Sequence, residues 1–191
     1  MFLTPARVAT AALAALPLLA LTRQVSLVPS ADPMVVARPA LDDATIIAIF
    51  DVANTADIET GALGMRRGAS KEVRAVGKRL NEDHLMVRKL GRDLAAKLGV
   101  TPTPPSPNPY AEGHVAAMAA LDPLRGNKFD RAFLEHEIAY HVAVIEAINT
   151  TLLPAIKNPE LKALVVKVAP HFQAHLDLIK ATKVQLKIPA E

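Results

Sequence analysis

A chain of 191 residues, 51% hydrophobic but only 4% aromatic, is long enough for one ordinary domain plus a tail and too apolar to be disordered. The absence of cysteine excludes disulfides, thiolate metal sites, cysteine nucleophiles and haem or lipid attached through cysteine. The formal charge is +3, and no Lys/Arg-rich block or basic-aromatic stripe points to a nucleic-acid partner.

Met1 to Arg7 is short and positive, and Val8 to Leu21 is a 14-residue apolar run containing Pro17. A membrane-spanning helix needs roughly 20 apolar residues, so this run reads as a secretory signal peptide, with an uncleaved anchor as the alternative. Residues 1–31 are assigned to the signal peptide and its cleavage region, and 32–41 to a linker. The expected location is the periplasm, with the mature protein either free there or attached to a membrane; the pattern allows membrane association without indicating it. Removal of the leader takes away Arg7 and Arg23 and lowers the formal charge from +3 to +1.

Residues 42–188 form the expected domain. Four long segments have helical periodicity, and no alternating run is long enough for a strand. The first helix is expected over Asp43–Arg67. Gly68-Ala69-Ser70 makes a tight turn, with Ser70 capping a second helix over Lys71–Leu98 that Gly99 stops. The stretch Thr101–Pro109 carries five prolines and is not helix; Tyr110–Leu121 suits one short helix. A third long helix is expected over Lys128–Leu153, ended by Pro154. Asn158-Pro159-Glu160 starts a fourth that runs to about Lys187. Short first and last connections make two antiparallel hairpins, and the crossover over residues 99–127 spans the molecule. The expected fold is all-α, a ferritin-like four-helix bundle with a Pro-rich crossover carrying a short helix.

Histidines interrupt the apolar stripes of three of these helices. His84 takes a slot in the second helix that suits Leu or Val. Glu137 and His141 form an i, i+4 pair on the third, as do His171 and His175 on the fourth, and such pairs stack on one side of a helix. On the first helix Asp57 lies at one margin of the arc and Glu59 beyond the other. With a rise of about 1.5 Å per residue, Asp57 sits about 15 Å and His84 about 21 Å from the turn joining their helices. His141, His171 and His175 sit about 18, 20 and 26 Å from theirs, so a shared layer is feasible. His114 is expected at the surface, and His136 and Tyr140 under the crossover.

ADIETG (56–61), LNEDH (80–84), FDRAFL (129–134) with His141, NPEL (158–161) and His175-Leu176, in this order around the Pro-rich crossover, carry a resemblance. The chain resembles the exported ferritin-like family known as domain of unknown function 4142, often labelled predicted outer membrane protein, over residues 41–187. The resemblance implies histidine at positions 84, 141 and 175; the family usually has Glu where this chain has Asp57, and His171 looks like an addition. The family name implies no activity.

A di-iron carboxylate site draws on two Glu-x-x-His motifs and two further Glu residues, but Asn81 and Phe172 stand three residues before His84 and His175. The donors on offer suit one transition-metal ion, Zn, Cu, Fe or Mn, rather than Mg or Ca. Asp57, His84, His141 and His175 are the candidate ligands, with Glu137, His171 and Glu59 as supporting or alternative ones. A polar core without metal, its histidines satisfied by Asp57, Asp83 and Glu137, and a non-covalent haem between facing histidines are the alternatives. No G-x-S-x-G, phosphate loop or H-E-x-x-H is present. The expected role is metal handling or envelope stress protection rather than turnover; a structural envelope module comes second and a redox enzyme third.

Overall fold

Every long helix but one starts on a side-chain cap. A computed structural model describes residues 41–188. Its elements are α1 (Asp43–Arg67), α2 (Lys71–Leu98), α3 (Pro109–Leu121), α4 (Gly126–Ala147), a π-helical turn (Ile148–Leu152), α5 (Leu153–Ala155) and α6 (Pro159–Gln185). No strand occurs among the described residues. The expected signal peptide and the linker up to residue 40 lie outside them. The Asp42 carboxylate accepts from the Thr45 amide at 2.8 Å, the Ser70 hydroxyl from Val73 at 3.1 Å, and Asn158 from Glu160 and Leu161 at 2.9 and 3.1 Å. Each cap satisfies amides that a helix leaves free in its first turn. Gly99 closes α2 at φ 64, in the left-handed region that glycine enters without strain.

α1 and α2 pack along their lengths as a hairpin, and α4 packs on α6; α2 also meets α6, α1 meets α4, and α3 lies over α1 and α4. Two apolar clusters form between them. One gathers Ile46, Phe50, Val87, Ile148, Val165 and Phe172, and the other Leu63, Leu80, Phe129, Phe133, Leu134 and Ile179. Burying each such side chain contributes about 1.5–3 kcal/mol. Between the clusters lies a buried polar layer: Asn54, Asp57, Thr60, His84, Glu137, His141 and His175.

Two expectations are corrected. The third long helix does not stop at Pro154. The Leu153 amide bonds back to the Ile148 carbonyl, a five-residue register that widens the helix. Pro154, which has no N–H to give, falls in the first turn of α5, and the chain leaves at Ile156 with ψ 124. On α6 the buried face runs through Val165, Val168, Phe172, His175 and Ile179, and His171 is exposed. The phase is set by the wider apolar arc: turning Phe172 inward gains hydrophobic burial, whereas turning His171 inward would strip an imidazole of water.

Candidate metal centre

Four long helices each bring a polar side chain into the layer. α1 supplies Asp57, fully buried, on the arc that Ala53, Ala56 and Thr60 define. α2 supplies His84, α4 supplies Glu137 and His141 one turn apart, and α6 supplies His175; none is more than 3% exposed. Ligand atoms of His84, His141 and His175 lie within 4.8 Å of one another, as do those of Asp57, Glu137 and His141. His84 Nε2 is 3.2 Å from His175 Nδ1 and 3.4 Å from Asp57 Oδ2. His141 Nε2 is 3.9 Å from Asp57 Oδ1.

The outward hydrogen bonds decide which ring nitrogens carry protons. The Asn54 amide donates to the Phe50 carbonyl at 2.8 Å, which turns its oxygen toward His84 Nδ1 at 2.9 Å. That nitrogen must donate, and Nε2 of His84 is left with a lone pair. His141 Nδ1 donates to the Glu137 carbonyl at 2.9 Å, freeing its Nε2. His175 Nε2 donates to Asp83 Oδ2 at 2.9 Å, freeing its Nδ1. Three lone pairs therefore face one another beside a carboxylate, without a proton among them. His141 Nε2 and all four oxygens of Asp57 and Glu137 have no hydrogen-bond partner in the protein.

Electrostatics support neutral imidazoles. Burial pushes His84 well below its ordinary range, and the neighbouring His175, His141 and His171 push it further. Burial lowers His141 to about 4 against a pull upward from its bond to the Glu137 carbonyl. Burial lowers His175 too, partly offset by Asp83. The carboxyls move the other way. Burial and the nearby Glu137 raise Asp57 well above the carboxylate range. Burial raises Glu137 to about 7, with Thr60 and Asp57 holding it back in part. A cation between these groups would reverse each of those costs, because it favours ionised carboxylates and uses neutral imidazole nitrogens.

Of the candidate ligands read from the sequence, Asp57, His84, Glu137, His141 and His175 come together. Glu59 and His171 do not. Glu59 is exposed and accepts from His114 Nε2 at 2.7 Å. His114, expected at the surface, is only 13% exposed in its side chain. His136 and Tyr140 pack with tilted rings 5.9 Å apart beside α3 of the crossover, and Tyr140 donates to the Ala53 carbonyl at 3.1 Å. Ring-to-ring packing leaves no slot for a haem: His84 lies 5.0 Å from His175 and 5.1 Å from Phe172, centroid to centroid. Asn54 is the functional residue that pattern reading misses, although a polar side chain one turn before Asp57 on an apolar arc was its visible signal.

The architecture defines an all-helical protein with a buried histidine-carboxylate cluster able to hold a cation. The chain belongs to the family described as Domain of unknown function (DUF4142), which matches residues 29–182. No curated protein and no solved structure matches it.

Proposed function

We propose that this protein is an exported, ferritin-like four-helix bundle that binds one transition-metal ion in the periplasm, for metal handling or protection of the envelope. The observation that carries the reading is the convergence of three unprotonated imidazole nitrogens on one another, with Asp57 3.4 Å from His84 Nε2 and 3.9 Å from His141 Nε2. Donors at about 2.05 Å from a tetrahedral ion lie about 3.3 Å apart, and the closest two contacts here are 3.2 and 3.4 Å. His84 Nε2, His141 Nε2, His175 Nδ1 and Asp57 would be the ligands. Glu137 would supply the second negative charge and make a divalent site neutral. Such a nitrogen-rich donor set suits Zn or Cu(II), and Fe or Mn less well. Asn54, the Glu137 carbonyl and Asp83 orient the three rings, as outer acceptors do in known histidine metal sites.

The competing reading is a structural module of the envelope with a metal-free polar core. The raised pKa values of the carboxyl pair favour it, because a proton held between Asp57 and Glu137 would discharge that half of the layer. The same proton leaves the three facing imidazole lone pairs unrelieved, which is why the metal reading is preferred.

Elemental analysis of the protein recovered from the periplasm without a histidine tag tests the two. One ion per chain, lost in His84→Ala, is the expected result. Absence of any bound metal, with none taken up from Zn, Cu, Fe and Mn salts, would establish the polar-core reading instead.

A further inference from the structure

Among the described residues, the cluster has one side-chain hydrogen bond that leads to solvent. Elsewhere it is shut. Phe172 packs on His84 at 5.1 Å and on His141 at 6.1 Å. Tyr140 packs on His141 at 6.2 Å, with its hydroxyl tied to Ala53. Asp57, Glu137 and His141 have no exposed surface.

That bond lies at the seam between α2 and α6. His175 is the ligand with one ring nitrogen on each side: Nδ1 faces His84, and Nε2 donates to Asp83 Oδ2 at 2.9 Å. The Asp83 side chain is 19% exposed, and the same oxygen accepts from Arg79 Nε at 2.6 Å. Arg79 is 61% exposed. One turn before His175 on α6 stands His171, exposed and on the same side of the helix by its four-residue spacing.

We propose that this seam is the port of the metal centre: His171 and Asp83 form the outer dock for an incoming divalent transition-metal ion, and Arg79 is the latch on Asp83. The inference rests on the metal reading above. An imidazole and a carboxylate at the rim replace part of the ion's water shell before it meets the buried donors, which divides dehydration into steps. His175 stands between the rim and the centre: when Asp83 turns to the ion and releases the Nε2 proton donor, the ring is free to swing aside and then close on the ion through Nδ1. The latch is an exposed i, i+4 ion pair, a kind that water readily separates, so the port opens without unfolding the helices. Arg79 also places a positive charge over the mouth, which disfavours approach until it swings away.

A port changes rates without changing the end state, and that separates it from a ligand. Stopped-flow uptake of Zn2+ in competition with a fluorescent chelator gives the rate, and equilibrium competition gives Kd. For His171→Asn we expect uptake and release both slowed about tenfold, with Kd within about twofold of the parent. For Arg79→Gln we expect both rates raised several-fold with Kd similarly held. Thermal melting of the metal-free variants checks that each folds. Unchanged rates in both variants, with normal binding by the parent, would overturn the port and leave the metal centre standing. A weaker Kd for His171→Asn at an unchanged uptake rate would make His171 a ligand and likewise overturn it. Failure of the parent to bind Zn2+, Cu2+, Fe2+ or Mn2+ would overturn the metal reading itself.

Discussion

Gly61 of α1 and Gly77 of α2 touch backbone to backbone: a methyl group on Gly77 would lie 2.6 Å from the Gly61 carbonyl oxygen, and one on Gly61 would lie 2.8 Å from that of Gly77. The same added carbon on Gly77 would meet the Met65 amide nitrogen at 2.4 Å. This approach sits one turn from Asp57 and two turns from His84, and it sets how closely those two side chains meet. Alanine at a helix interior ordinarily stabilises by about 1 kcal/mol over glycine. Here the sign should reverse. Gly77→Ala is expected to destabilise by about 1–3 kcal/mol through overpacking against backbone that has nowhere to go. Urea unfolding measures it; an unchanged or raised midpoint would show that the two helices do not approach this closely.

Glu137 makes the metal-free protein sensitive to pH. Its folded pKa is raised from 4.5 to about 7, so over that window the folded state keeps a proton that the unfolded state has lost. The associated stability is fully present below pH 4.5 and is lost as pH rises toward 7, about 3 kcal/mol in all. The lowered imidazoles act with the opposite sign: they leave the folded state weaker as pH falls below 6.5, down to about 4 for His141. Glu137→Gln isolates the carboxyl. The variant should match the parent at pH 4 and exceed it by up to about 3 kcal/mol at pH 8. Denaturation of both proteins with chelator present across this range gives the comparison, and parallel curves would count against a buried, protonated Glu137.

Loading with metal should release protons. A divalent ion needs both carboxylates ionised and the imidazoles neutral. Below about pH 7 the apparent affinity should fall by at least about tenfold per pH unit as Glu137 takes up its proton beside the raised Asp57, and more steeply near pH 4 as His141 is protonated. Competition titrations with Zn2+ at several pH values test this. A flat profile between pH 5.5 and 7.5 would remove Glu137 from the neighbourhood of the ion.

Asn54 should matter as much as a ligand of middling strength. Replacing it with Leu removes the acceptor that keeps the proton on His84 Nδ1, and the expected loss of metal affinity is about 10- to 100-fold. Asn54→Asp retains an acceptor and should lose less. Equal affinity in Asn54→Leu and the parent would mean that His84 needs no orientation from α1.

The caps and periods of this chain were legible because each rests on a few neighbouring residues. Asp42, Ser70, Gly99 and Asn158 mark their helix ends by local chemistry alone. The phase of α6 was not legible, since Phe172 and His171 differ by one position and only the neighbouring helices decide which is buried. Pro154 misled for a similar reason: a proline stop presumes a standard register, and the π-helical turn before it changes that register. His84, His141 and His175 were visible as polar breaks in apolar stripes. Which of their nitrogens face inward depends on Asn54, Asp83 and a backbone carbonyl, and on no sequence spacing. Glu59 and His171 show the limit of reading one helix at a time, because a residue near an arc is still turned by what lies opposite.

The candidate ligands also divide unevenly along the chain. Asp57 and His84 belong to the α1–α2 hairpin, whereas His141, His175 and Glu137 belong to the helices after the crossover. An ion held among them rivets two hairpins that are otherwise linked covalently only by residues 99–127. Local opening of either hairpin would then require breaking coordination bonds, and cutting the crossover would not free the halves while the ion stayed. The survival time of the folded chain among proteases would become a gauge of metal supply, read out by how fast it disappears.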